Sequence, residues 1–345
     1  MTKKVLVLII LSFTTGLVYG QIGGKRTFEF LETPNHAKVG GLGTVNVSAG
    51  EDLNMVNQNP ALLLPEMDGD ISLTISPYLA GIFNTQLNYA RNFEEAGIFN
   101  LGVYFQSFGQ FDGYDNTGNA EGSFSASNYN ISLSHSKKQG IFNYGATLKL
   151  AGSQLPGNQQ SALLLDLGGV YSHPEQDLNI GLVIKNAGFY LKKNPDEDRP
   201  LPFDIQLGGT FKPEFMPFRF SLTANRLYQY DLSYFEPIDE ATTNNAFIEV
   251  TENAPSTFDK IFQHITVGTE ILLGKSINIR AGYNHLLRQS LRGEQVAGAG
   301  GFTFGLLINT KKLNLAYSNA IYQVGGSAHF ITLGTNFNHF IKKKS

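Results

Sequence analysis

From about residue 70 to residue 337, strand-like segments are joined alternately by short and long connectors. The short joins run Asn92 to Ala96, Ser136 to Gln139, His173 to Asp177, Pro213 to Pro217, Gly274 to Ser276 and Asn309 to Thr310. The long ones run Gly109 to Gly122, Gly152 to Gln159, Ala187 to Pro202, Tyr228 to Ile261 and His285 to Ala299. A soluble sandwich has no reason to gather every short turn at one end. A barrel crossing an outer membrane does, with tight periplasmic turns and long outer loops.

The segments between the joins alternate with period two. Phe142, Tyr144, Ala146, Leu148 and Leu150 interleave with Asn143, Gly145, Thr147 and Lys149. Phe203, Ile205 and Leu207 oppose Asp204, Gln206 and Gly208, and Phe218, Phe220 and Leu222 oppose Arg219, Ser221 and Thr223. Successive side chains on a strand point to opposite faces, so each strand has one apolar and one polar or glycine face. In a membrane barrel the apolar face meets lipid and the polar face lines the lumen. The strand charges Lys149, Asp204, Arg219, Glu270 and Arg280 all fall on the polar face. The aromatics Phe142, Tyr171, Phe203, Phe218 and Tyr283 stand at strand ends on the apolar face, as interfacial girdles do.

Fourteen strands are expected, starting near Ile71, Asn84, Gly97, Asn128, Ile141, Ala162, Leu178, Phe203, Phe218, Gln263, Ser276, Gly301, Lys311 and Ala328. The even number suits an antiparallel transmembrane β-barrel and puts both chain ends in the periplasm, long loops outside. With 42% hydrophobic and 16% charged residues, the chain lacks the repeated apolar runs of a helical membrane bundle. A net charge of -3 gives no basic patch for nucleic acid, and the absence of cysteine excludes disulfides and thiolate metal sites. Residues 1–20 read as a signal peptide, with Lys3 and Lys4 before an apolar stretch from Val5 to Val18 and a small-residue site at Val18-Tyr19-Gly20.

No catalytic constellation stands out: there is no G-x-S-x-G, no H-E-x-x-H and no cysteine nucleophile, so no enzyme and no cofactor is expected. The scattered histidines, His36, His173 and His285 among them, read as solvated or hydrogen-bonded side chains. Asp112, Asp115 and Asn116 lack a closing Glu for a calcium loop and read as a glycine-rich surface turn. The loop from Tyr228 to Ile261 carries Tyr228, Tyr230, Tyr234 and Phe235 close to Asp239 and Glu240. Exposed aromatics beside charges suit protein recognition, the alternative being a solvated loop that only caps the barrel.

Residues 21–69 lack the period-two pattern and are rich in Gly and Asn, which suits a compact segment inside or below the barrel. Residues 70–337 form the barrel in this reading, and 338–345 a short tail. The motif Gly41-x-Gly43, the acidic pair Glu51-Asp52 and Asn59-Pro60-Ala61 resemble the N-terminal hatch of FadL-like barrels. Within that family the stretches Gln21 to Leu31 with Asn35-His36-Ala37, Phe111 to Asp115, His173-Pro174-Glu175, Gly181 to Asn186, Phe211 to Glu214 and Met216 to Phe220 resemble the PorV/PorQ group, outer-membrane components of type IX secretion. The resemblance covers essentially the whole chain after residue 20. It implies a scaffold in the cell-surface attachment complex, with PorZ, PorU and PorV as partners and outer-membrane lipid or lipopolysaccharide around it. The alternatives are a FadL-like transporter of hydrophobic compounds and a PorV-like cargo shuttle.

Overall fold

Period-two strands with one apolar face must bury that face against a second sheet, a layer of helices or lipid. In the computed structural model they close on themselves. The structure describes residues 26–78, 81–114, 117–195, 198–230, 232, 257–290, 299–323 and 326–340. The strands are β1 (Asp70–Pro77), β2 (Phe83–Asn92), β3 (Ile98–Tyr114), β4 (Ala120–Gln139), β5 (Phe142–Leu155), β6 (Asn158–Ser172) and β7 (Asp177–Lys192). They continue with β8 (Asp204–Lys212), β9 (Phe218–Ala224), β10 (Ile265–Leu273), β11 (Ile277–Asn284), β12 (Phe302–Asn309), β13 (Leu313–Gln323) and β14 (Gly326–Asn336). All pairings are antiparallel between sequence neighbours, and β1 closes the barrel on β14, with Asp70 opposite Asn336 and Ile75 opposite Ile331. Helices are short: α1 (Ala37–Gly41), α2 (Thr257–Phe262) and α3 (His285–Ser290). None among the described residues is long and apolar enough to cross a membrane; the crossing elements are strands.

The outer face is apolar along the register. One hydrogen-bonded row runs Leu273, Ile277, Ile308, Leu315, Leu333, Leu73, Leu87, Val103, Ile131, Leu150, Leu163 and Phe189 without a polar residue. Many side chains on this face are large and exposed, such as Leu133 at 50%, Leu222 at 53% and Phe304 at 53%. A soluble protein does not leave a continuous belt of this kind in water. Aromatic contacts flank it, Phe142 with Tyr171 at one end (5.6 Å) and Tyr283 with Phe302 at the other (4.9 Å). The inward face is polar and buried, and Lys149, Asp204, Arg219, Glu270 and Arg280 all lie on it.

Twelve of the fourteen strand starts fall within two residues of expectation; β4 and β6 begin earlier, at Ala120 and Asn158. The expected long joins Gly109 to Gly122 and Gly152 to Gln159 are mostly strand. Gln110 to Tyr114 pair with Ser125 to Ala120, and β5 meets β6 through a two-residue turn, Pro156-Gly157, with Gly157 at φ 74°. Asp112 therefore sits on a strand opposite Ser123, and no surface turn forms there; Asp115 and Asn116 lie outside the described residues. Above the lipid belt a strand no longer needs an apolar face, so alternation fades while pairing continues. Lys137 and Lys138 likewise belong to β4, and the turn that follows is Gly140-Ile141. Joins at the long end are thus not uniformly long.

The consequence is an uneven rim. β2 begins opposite Ser107 of β3, and β8 begins opposite Lys185 of β7. Past those points β3 to β7 continue as a five-stranded wall, overhanging by residues 108–114 on β3 and 186–192 on β7. At about 3.3 Å per residue this is roughly 20 Å of strand. A bulge starts the overhang of β7: Asn186 takes φ 57° and its N–H donates to Asp166 Oδ1 (2.8 Å), which resets the alternation so that Phe189 and Leu191 face outward.

Candidate functional site

The residues before β1 are held by inward-facing groups around the circumference. Short caps shape this segment. Asp52 accepts from the Asn54 N–H (2.9 Å) to start the 3₁₀ turn Leu53–Asn57, and Asn59 accepts from the Ala61 N–H (3.0 Å) to start Pro60–Leu62. Proline at the first helical position suits the second cap, because its missing N–H would have no partner there.

All five motif residues of this segment meet the barrel wall. Gly41 lies against Gly305, where an added Cβ would stand 3.2 Å from the Gly305 Cα. Gly43 takes φ 84°, its N–H donates to Thr303 Oγ1 (2.9 Å), and its carbonyl accepts from Asn284 Nδ2 (3.1 Å). Asn59 Nδ2 donates to the Val47 carbonyl (3.0 Å) and reaches toward those of Gly169 (3.4 Å) and Leu182 (3.5 Å). Pro60 packs on Gly145, and the Ala61 carbonyl accepts from Asn143 Nδ2. The strand glycines are what admit this approach: a Cβ on Gly168 would lie 2.0 Å from Asn59 Oδ1, and one on Gly181 2.1 Å from the Val47 carbonyl oxygen.

Charged groups tie the same segment to the wall. Arg219 of β9 pairs with Glu51 (2.8 Å) and reaches Asp177 (3.5 Å) and Glu270 (3.6 Å), while Arg280 Nε donates to Glu270 (2.9 Å). Glu51 takes a left-handed φ of 67°, a conformation that costs a non-glycine residue about 1 kcal/mol or more, offset here by the Arg219 pair. Burial raises the Glu51 carboxyl, but the hydrogen bond and charge of Arg219 outweigh it and hold it below the usual carboxylate range. A second cluster joins Lys149 to Asp166 (2.5 Å) and to Asn186 Oδ1 (2.9 Å), with Lys185 donating to the Asn57 carbonyl (3.2 Å).

His36 differs from expectation. It is fully buried, and neither ring nitrogen has a hydrogen-bond partner, so it is neither solvated nor bonded. Burial first, with Lys38 and Arg280 nearby, lowers its pKa from 6.5 to about 4, only partly opposed by Asp52. His173 follows expectation and accepts from the N–H groups of Glu175 and Gln176 in its turn (both 3.1 Å). Among the described residues no cluster of His, Asp and Glu is placed to hold a metal ion.

The described residues line cavities at both ends of the barrel interior. One, of about 220 Å³, lies toward the long-join end among Arg26, Glu32, Lys185, Asp204 and Tyr322. The other, about 560 Å³, opens at the short-join end and is lined by Lys38, Asn54, Arg280, Lys311 and Asn336 among others. Both linings carry charges.

The loop aromatics divide. Tyr228 is engaged by the chain itself: Phe203 meets its ring edge-on (5.3 Å), and the Arg26 guanidinium lies over it (5.4 Å) and donates to its hydroxyl. Tyr230 is 64% exposed, with its carbonyl facing His264 Nε2 (3.1 Å). Tyr234, Phe235, Asp239 and Glu240 lie outside the described residues, as do residues 1–20 and most of the 338–345 tail. Sequence reasoning missed Lys38, Lys185 and the projecting wall. The two lysines are identified only by bonds that span 12 and 128 residues of sequence, and the wall only by its strand pairing.

Fold and surface together define a closed, fourteen-stranded antiparallel β-barrel with a continuous apolar outer belt, the architecture of a barrel that crosses an outer membrane. Among solved structures the chain is similar to the TodX monoaromatic hydrocarbon channel deltaS2 mutant, with a TM-score of 0.51, 14% identity, and 88% of this chain and 98% of that one covered. The CymD monoaromatic hydrocarbon channel (TM-score 0.47, 13% identity, 89% and 97% covered) and a Pseudomonas aeruginosa FadL homologue (0.41, 10%, 92% and 100%) also match. At these identities the likeness bears on the fold alone. No family model and no curated protein matches the chain.

Proposed function

We propose that this chain is a non-enzymatic outer-membrane scaffold of the type IX secretion system, a PorQ-like component that holds PorZ at the cell surface beside PorU and PorV. The observation that carries this reading is the five-stranded wall of β3 to β7. It rises past its neighbours on the long-join side, with sheet pairing on one side only of its outermost strands. An overhanging sheet edge with exposed aromatics such as the stacked pair Phe111 and Phe124 (5.4 Å) offers a partner both main-chain and side-chain contacts. The resemblance of the N-terminal and turn motifs to the PorV/PorQ group supports the same reading. In it the long-join end is extracellular, both termini are periplasmic, and residues before β1 act as a hatch. Tyr230 of the β9–β10 loop, with Tyr234, Phe235, Asp239 and Glu240, is the second contact region.

The second reading is a channel for hydrophobic compounds, favoured by the fold likeness to TodX. The lumen argues against it, because both cavities are lined by charged and amide groups that an apolar solute would have to desolvate. Two shortened variants test the main reading in detergent pull-downs. Replacing residues 108–126 by a tight turn is expected to abolish PorZ capture, and removing residues 231–256 to weaken it. Normal capture by both, or saturable uptake of labelled fatty acid by reconstituted protein, rejects the scaffold reading.

A further inference from the structure

The cavity at the short-join end presents cations in an arrangement that the scaffold role does not use. Arg280 is 2% exposed and lines this cavity; its Nε is bonded to Glu270, but its Nη1 has no hydrogen-bond partner. A buried guanidinium nitrogen without an acceptor is costly, more so than a neutral donor. Lys38, 3% exposed, lines the same cavity from α1 and gives one of its three protons to the Gly50 carbonyl. At the mouth stand Lys138, from the end of β4, and Lys311 and Lys312, from the β12–β13 turn. Among the described residues no carboxylate lies within ion-pair distance of Lys38, Lys138, Lys311 or Lys312. Among the acids of the lining, Glu51 is paired with Arg219 and Asp70 accepts from Asn336; Asp52 accepts from the Asn54 N–H and stands in the field of Lys38 and Arg280, beyond ion-pair distance. Glu66 is exposed at the rim.

We propose that this cavity is a binding site for a phosphate-class anion, held by the Arg280 and Lys38 side chains that line it and drawn in by the lysines of the mouth. Guanidinium and ammonium donors converging on one space match the several acceptor oxygens of a phosphate. A volume of about 560 Å³ leaves room for a substituent, so the anion is inorganic phosphate or the phosphate of a lipid headgroup. The inference rests on the barrel and its lumen, not on the scaffold reading.

The test is titration of the full-length protein, in zwitterionic detergent, with inorganic phosphate, followed by phosphorus NMR line broadening. Saturable binding is expected, weakened at least tenfold in Arg280→Gln and in Lys38→Gln and about threefold in Lys311→Gln/Lys312→Gln. Heat-modifiable gel migration reports whether each barrel is folded. The mouth lysines are exposed and outside the wall contacts, so their variant keeps the test valid if Arg280→Gln fails to fold. The absence of saturable binding by the unaltered protein overturns the proposal, as does unchanged binding in the folded lumen and mouth variants. Reconstitution separates the two sources: competition by phosphatidylglycerol vesicles, but not by phosphatidylcholine, assigns the site to a headgroup. Equal phosphate binding in both lipids assigns it to the free ion.

Discussion

At the residue scale, the segment before β1 is held by side chains whose value lies in where they are buried. His36 is the clearest case. Its folded pKa of about 4 lies below the ordinary 6.5, so the folded chain binds fewer protons than the unfolded one. The stability it confers is complete above pH 6.5, falls as pH drops toward 4, and is flat below that. The whole loss amounts to roughly 3 kcal/mol at about 1.4 kcal/mol per pKa unit. Protease accessibility of residues 26–67 is therefore expected to rise as pH falls through this window. His36→Gln should flatten the dependence; a slope unchanged in that variant would remove His36 as its cause. The sequence made His36 visible as part of a motif. Its burial could not be read, because Asp52, Lys38 and Arg280 surround it only after the barrel closes.

At the element scale, glycines of the strands do two different things. Gly181 on β7 faces the Val47 carbonyl, and a Cβ there would overlap it at 2.1 Å. Gly169 on β6 has nothing within 4 Å of the same position. Gly181→Ala is expected to cost about 1–3 kcal/mol by overpacking, loosening the N-terminal segment while β7 remains paired. Gly169→Ala is expected to be near neutral. Limited proteolysis of residues 26–67, with heat-modifiable migration to monitor the barrel, compares the two, and equal behaviour would rule out the packing argument. Period two identified the strands well wherever lipid demands an apolar face. It failed for the upper parts of β3 to β6, where cross-strand pairs such as Phe111–Phe124 and Gln154–Gln159 sustain pairing that the one-dimensional pattern does not encode.

At the scale of the whole molecule, belt, lumen and wall divide the work. The apolar register row embeds the barrel, the N-terminal segment packs against inward-facing groups of β5 to β8 and β11 to β14, and the wall extends past its neighbours. A barrel so packed is expected to conduct little in planar bilayers, and deletion of residues 26–67 to give a large, steady conductance. Equal conductance with and without the segment would mean that it does not obstruct the lumen.

The sequence by itself determined the barrel class, the number of strands and the face each strand turns to lipid. Alternation is a local property, enforced residue by residue by the cost of placing polar groups in hydrocarbon. Glycine and Asn-Pro carry backbone demands of their own, so Gly41, Gly43 and Asn59-Pro60-Ala61 stood out in the sequence, while their contacts with the barrel wall did not. Only the tertiary structure decided how far each strand runs, which charges pair across the lumen, and where the cations of the short-join end converge. Those depend on register and closure, which bring Glu51 to Arg219 and Gly43 to Thr303 across more than 160 and 250 residues of sequence, respectively.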